Sequence, residues 1–262
     1  MNQKWKWTVW GMAAAIVIGA LFGPRIPQPQ SYHQFADQRN FLAIPHFFDV
    51  VSNLGFLVVG LWGIRFVLRA NAGAGTVFNA NKERSPYFFF FLGVLLTAFG
   101  SAYYHWAPDN ARLLWDRLPM AMGFMGLLAA VLSERVAPAL ASQTLVPLVG
   151  AGIGSVLYWR WTDVAGRDDL RLYGIVQFGS LAVVLALCLL LRSRYTRGSD
   201  MFVVVALYIL AKMFEVLDKE VFAIGGVVSG HTLKHFTAAL ACYFVLRMLM
   251  MRRPAADNLT PE

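Results

Sequence analysis

Seven stretches of this chain, near residues 47 to 68, 87 to 106, 113 to 134, 144 to 160, 172 to 192, 201 to 218 and 231 to 251, are almost wholly apolar. Each approaches the roughly 20 residues that a helix needs to cross a bilayer. Lipid offers a backbone no hydrogen-bonding partners, so a spanning segment must satisfy its own N–H and C=O groups, as a helix does. The expected fold is therefore an all-α polytopic membrane protein. Composition agrees, with 58% hydrophobic and only 15% charged residues among 262. An eighth apolar run, residues 8 to 23, follows Lys4 and Lys6 and has Trp5, Trp7 and Trp10 at its entrance. A small-x-small cleavage site is not evident around Gly23-Pro24-Arg25, which favours an additional retained helix over a signal peptide. The expected plan is an N-terminal transmembrane helix over 1–23, a polar non-cytoplasmic segment over 24–46, a seven-helix core over 47–251 and a cytoplasmic tail over 252–262.

The net charge of +8 comes from short basic clusters between apolar runs, not from one continuous basic face. That pattern argues against nucleic acid as a partner and for a membrane orientation set by positive loops. With the amino terminus inside, the cytoplasmic side receives Lys4, Lys6, Arg69, Lys82, Arg84, Arg135, Arg192, Arg194, Arg197, Arg252 and Arg253. Asp37, Asp109, Asp163, Asp168, Asp169 and Glu220 fall on the other side, and both termini are expected inside. Arg25, Arg39, Arg112, Arg167, Arg171 and Lys219 run against this bias. Residues 69 to 86, with Ala72-Gly73-Ala74-Gly75, read as a flexible linker. Cys188 and Cys242 lack the spacing of a metal knuckle or redox motif and read as packing residues. Nothing in the sequence sets an oligomeric state.

Polar residues within the apolar segments converge at one depth. His231 and His235 stand four apart at the start of the last segment and share a helix face, as Ser101 and His105 do at the end of another. Asp116 begins the segment that follows. The loop-charge topology brings all five to the outer half of the bilayer. Three neutral imidazoles with an open fourth position are the ligand set of a catalytic zinc, which lowers the pKa of its bound water towards about 7. Iron and manganese are the alternatives, disfavoured where a carboxylate stays outside the ligand set. A carboxylate beside such a site can act as general base and then acid, and a hydroxyl can hydrogen-bond a developing oxyanion.

Ser101-x-x-x-His105, Asp116-x-Leu118-Pro119-Met120, His231-x-x-x-His235 and the Ser52-Asn53 pair together resemble the alkaline ceramidase family, in the superfamily that includes the adiponectin receptors. The resemblance covers about residues 35 to 250. It implies a seven-helix zinc-dependent amidohydrolase acting on ceramide or a related N-acyl lipid, with zinc on His105, His231 and His235, Asp116 activating water and Ser101 assisting at the oxyanion. Family members also carry acidic residues associated with calcium before the first core helix. Here that stretch offers Asp37, Asn40 and Asp49 with Arg39 and His46 among them, short of the six to eight oxygens calcium takes. Asp37 and Arg39 read instead as a structural cap.

Lys212 and Glu215, three apart, are expected to pair inside the bundle, with the alternative that Glu215 or Asp218 orients a ligand histidine. His33 and His46 are expected at the interface, and Trp106, Trp115, Trp159 and Trp161 in an aromatic belt. A salt bridge to Arg117 or Arg112 is the structural alternative for Asp116. The rival functions are a receptor-like or structural membrane protein with a non-catalytic zinc, and a transporter using Lys212 and Glu215.

Overall fold

The computed structural model describes residues 11, 14–19, 21–73 and 76–255. It is all-helical in its regular elements, with no β-strand longer than an isolated bridge among the described residues. The long helices are α1 (Phe47–Arg69, with a turn at Ser52-Asn53), α2 (Arg84–Trp106), α3 (Asn110–Arg135), α4 (Leu140–Val164) and α5 (Arg171–Leu190). They are followed by α6 (Asp200–Val216), a short α7 (Asp218–Gly225) and α8 (Gly230–Met251). Each of the seven apolar stretches falls on one of the long helices. Six of these are long and apolar enough to cross a membrane, and the protein is an integral, polytopic membrane protein. The other, α6, has 17 residues and turns at Leu217 into α7, where the apolar stretch had been expected to run on to 218.

Helices α1, α2, α3, α5, α6 and α8 pack in that order around a ring that closes from α8 back to α1, while α4 lies outside against α3. Helix α3 is the most enclosed, with 83% of its apolar window buried. Its crossing with α2 is close because small residues meet backbone there. A Cβ on Gly100 would stand 2.0 Å from the Trp115 carbonyl oxygen. Pro119, inside α3, has no N–H to offer that carbonyl, so the approach of Gly100 meets an oxygen already freed from the helix ladder. Gly230 does the same for α8, where a Cβ would lie 2.3 Å from the Phe214 carbonyl oxygen. These two glycines stand immediately before Ser101 and His231.

Of the N-terminal apolar run, residues 11, 14–19 and 21–22 are helical and Gly23 is a bend, while residues 8–10, 12–13 and 20 lie outside the described residues. Arg171 Nη1 donates to the carbonyls of Leu21 and Gly23 at 3.0 and 2.6 Å, which fixes the end of this segment against α5. The connection expected to be a flexible linker is anchored. Phe78 is fully buried, Ala72 and Phe78 form a bridge, and the Asn79 N–H donates to Glu83 Oε2 at 3.0 Å. A buried aromatic residue following the glycines outweighs the composition of the loop. Trp106, Trp115 and Trp161 are exposed on the bundle surface, as an aromatic belt requires. Trp159 is the exception; it is fully buried, with the Arg117 guanidinium 4.3 Å over its ring.

Candidate metal centre

The end of α2 and the first two turns of α8 deliver three imidazoles to one region. His105, His231 and His235 are buried, and their ring nitrogens form a group that could hold a metal ion. His105 Nε2 lies 3.2 Å from His235 Nε2 and 3.3 Å from His231 Nε2. Tetrahedral zinc–nitrogen bonds of about 2.0–2.1 Å hold neighbouring ligand atoms about 3.3 Å apart, and the two separations from His105 match that spacing.

The protons on these rings can be followed. Ser52 Oγ lies 3.2 Å from the Asp49 carbonyl, to which it donates, and 2.7 Å from His235 Nδ1. With the Ser52 proton on that carbonyl, His235 Nδ1–H donates to Ser52 and its Nε2 is left as a bare lone pair facing the other rings, the tautomer that metal binding through Nε2 requires. Fixing a ligand tautomer through the far nitrogen is the usual arrangement around a bound metal. His105 Nδ1 is buried without a hydrogen-bond partner among the described residues.

The backbone around α8 is equally held. Ser229 caps the helix by accepting from Thr232 N–H at 3.0 Å. Ser229 Oγ and Thr232 Oγ1 both donate to Asp49 Oδ1, at 3.0 and 2.7 Å, tying α8 to the start of α1. Asp218 Oδ1 accepts from the His231 N–H at 2.7 Å, and its Oδ2 accepts from the Ala36 N–H at 2.8 Å. Asp218 thus positions His231 through its backbone, not through its ring.

Residues 24–46 close this end of the bundle. Phe35 is buried with its ring centroid 4.7 Å from that of His105 and 4.5 Å from that of His231. Arg39 Nε and Nη2 donate to the two Asp37 oxygens at 2.7 and 2.8 Å, and the same guanidinium reaches the carbonyls of Gly226 and Val227. Burial alone would raise the Asp37 carboxyl; the Arg39 hydrogen bonds and charge outweigh it and hold the group below the usual carboxylate range. This is the cap expected of the pair. His33 and His46, expected at the interface, are half-buried within it. His33 bonds Tyr104 and Asn110 at 2.9 Å each, and His46 Nδ1 donates to the Asp37 carbonyl at 2.9 Å.

Beneath the histidines runs a cavity of about 1070 Å³, counting its open mouth. Every helix of the ring lines it and α4 does not. Its polar end carries Ser101, Asp116 and His235, and its far end is lined by Phe90, Leu127, Ala241 and Cys242. From Ser101 to Phe90 is eleven residues of one helix, roughly 16 Å. Ser101 and Asp116 are both buried and both line this end of the cavity. Neither arginine weighed as a salt-bridge partner for Asp116 takes that role: Arg112 pairs with Asp109 at 2.5 Å, and Arg117 donates to Gln28 Oε1.

Sequence reading assigns no cavity role to Lys234 or Gln177, and it raises Arg117 only as a salt-bridge partner for Asp116. Lys234, inside the His-x-x-x-His motif, donates to Glu215 Oε1 at 2.7 Å and lies 3.3 Å from His231 Nε2. Glu215 also pairs with Lys212, as expected, and accepts from the Tyr32 hydroxyl at 2.9 Å. Arg117 and Gln177 complete the polar wall, and Gln177, in a π-turn over Ile175–Gly179, donates to the Tyr208 hydroxyl at 2.8 Å. A buried lysine three residues after a histidine was the available signal for Lys234; nothing in the spacing marked the others. No protein-family model matches the chain, and no curated protein sequence matches it.

Proposed function

We propose that this protein is a zinc-dependent membrane amidohydrolase that cleaves the amide bond of an N-acyl lipid, ceramide among the candidates. The observation that carries the reading is the convergence of three imidazoles, with His105 Nε2 3.2 Å from His235 Nε2 and 3.3 Å from His231 Nε2, where His235 meets the polar end of a long cavity that also holds Asp116 and Ser101. The resemblance of these motifs to the alkaline ceramidases supports it.

His105, His231 and His235 would hold the ion, which when bound supplies a Lewis acid and a water acidified towards a pKa of about 7. Asp116, a carboxylate without an arginine partner, takes a proton from the attacking water and returns it to the nitrogen of the departing amine. Ser101, beside Asp116, donates a hydrogen bond to the oxyanion that develops on the substrate carbonyl. Phe35 and the packed cap above the rings keep bulk water from the reacting carbonyl, and the apolar far wall receives the acyl chain. With the orientation given by the loop charges, the polar end opens to the non-cytoplasmic half of the bilayer.

One observation favours a second reading. All three histidines are almost fully covered, which also suits a metal that only fastens helices in a receptor-like protein. The purified protein, with His231→Ala beside it, separates the two. Stoichiometric zinc together with release of fatty acid from N-acyl lipids, both lost in the variant, is the expected result. Zinc without turnover on any N-acyl lipid would overturn the enzyme in favour of the fastener.

A further inference from the structure

Arg117 is a permanent charge in the wrong company. It is 6% exposed and lines the cavity, yet no carboxylate pairs with it among the described residues. Its Nη2 donates to the neutral side-chain oxygen of Gln28, and its Nη1 is buried with no hydrogen-bond partner among the described residues. The rings of Trp159 and Tyr173 face it at 4.3 and 4.9 Å, and that of Tyr32 lies 5.8 Å away. Rings of this kind hold a guanidinium in place without neutralising it.

The rest of the cavity deepens the imbalance. Lys212 and Lys234 share one carboxylate, Glu215. Among the lining residues, three cations (Arg117, Lys212, Lys234) face two carboxylates (Asp116, Glu215), before a metal ion adds its own charge. An uncompensated cation inside a membrane protein is costly, and a buried guanidinium with a free edge is suited to a planar carboxylate. Tyr32, whose phenol is held up by burial, remains a neutral donor to Glu215 and adds no negative charge.

We propose that the polar end of this cavity is an anion-binding subsite, with Arg117 as its receptor, and that the lipid taken there is an N-acyl amino acid whose carboxylate lies on the amine side of the amide. The inference rests on the amidohydrolase reading for its chemistry but not for its binding. The acyl chain lies along Phe90 and Leu127, and the carboxylate lies against Arg117, one residue from Asp116. In the hydrolysis, water adds to the amide carbonyl carbon and the C–N bond breaks. The fatty acid keeps the water oxygen, and the amino acid leaves with a water proton on its nitrogen. Arg117 is a specificity residue in this scheme, since it meets the substrate away from the bond that breaks.

N-oleoylglycine and N-oleoylethanolamine share chain and amide and differ in carboxylate against hydroxyl. Binding is read as the shift in thermal unfolding of the detergent-solubilised protein, and turnover as oleate release, for the wild type, Arg117→Gln and Lys212→Met. The wild type is expected to be stabilised by the glycine conjugate at concentrations at least about tenfold lower than by the ethanolamine conjugate, in keeping with a charge-assisted hydrogen bond. Its kcat/KM should favour the same ligand, mostly through KM. Arg117→Gln should collapse that preference, and Lys212→Met should weaken it. Equal binding of the two ligands by the wild type, or a preference unchanged in a folded Arg117→Gln, would overturn the subsite. If Arg117→Gln does not fold, the wild-type preference and Lys212→Met still decide. Selective binding of the glycine conjugate without cleavage of either ligand would uphold the subsite and overturn the hydrolase.

Discussion

The two ends of the bundle both bury a guanidinium among aromatic rings, and they finish the job differently. At the end away from the histidines, Arg252 lies between Phe78, Tyr87 and Tyr195, the last at 4.0 Å, and pairs with Glu134. Glu134 also accepts from the Tyr87 hydroxyl at 2.6 Å, and Arg252 Nε donates to the Val77 carbonyl at 2.9 Å. At the histidine end, Arg117 has the rings but not the carboxylate. Each guanidinium leaves one nitrogen unbonded among the described residues, so the hydrogen-bond count does not separate them; the counter-ion does. A closed pair fastens α2, α3 and α8 together, whereas an open one leaves a field for something else to complete.

Breaking each end should therefore give different phenotypes. The largest effect is expected for His231→Ala, with loss of bound metal and of turnover, read by metal analysis and fatty-acid release. Asp116→Asn should keep the metal and lower kcat by about 10²–10⁴, the range of a lost general base. At the other end, Glu134→Ala should leave metal content unchanged in the protein that folds but destabilise it by about 3–5 kcal/mol, because Arg252 would be left charged and unpaired. Denaturant titration checks this, and a stable Glu134→Ala would remove the contrast. Ser52→Ala frees the His235 tautomer and should weaken metal affinity about 10- to 100-fold, measured by competition with a chelator. The smallest effect is expected for Asp37→Asn in the cap, about 2 kcal/mol. The Asp37 carboxyl is held below its unfolded value, so its contribution is complete above that value and fades as pH falls through the folded one. The Asn variant should accordingly lose stability at neutral pH and differ little from wild type once the solution is acidic enough to protonate Asp37.

How far the sequence reads depends on the range of the interaction. The helices were legible because an apolar run of about 20 residues in lipid has one solution. His231 with His235, and Ser101 with His105, were legible as one-turn neighbours, and loop charges set them at one depth. What stayed hidden is decided by partners far along the chain. Trp159 read as a belt residue because nothing local announces that Arg117 covers it. Lys234 read as part of a motif's spacing because its partner Glu215 sits on another helix. Phe35 gave no sign that it would pack on two of the three imidazoles, and Gly100 and Gly230 look like any glycine in an apolar run until the opposing carbonyl is in view. The loop over 69 to 86 misled for a related reason: its glycines set the reading, but the burial of Phe78 decides its order.

The ligand set also has a direction in time. His105 lies on α2, and His231 and His235 on α8, the last helix of the bundle, so a chain being synthesised holds only one of the three imidazoles until residue 231 has been added. Five long helices must be in place around a ring still missing its closing member, with Ser52 waiting on α1 for a histidine made more than 180 residues later. If the three imidazoles hold an ion as proposed, its capture would be a late event that marks the completed insertion of α8, and a nascent chain stalled before it would lack two of the three ligands.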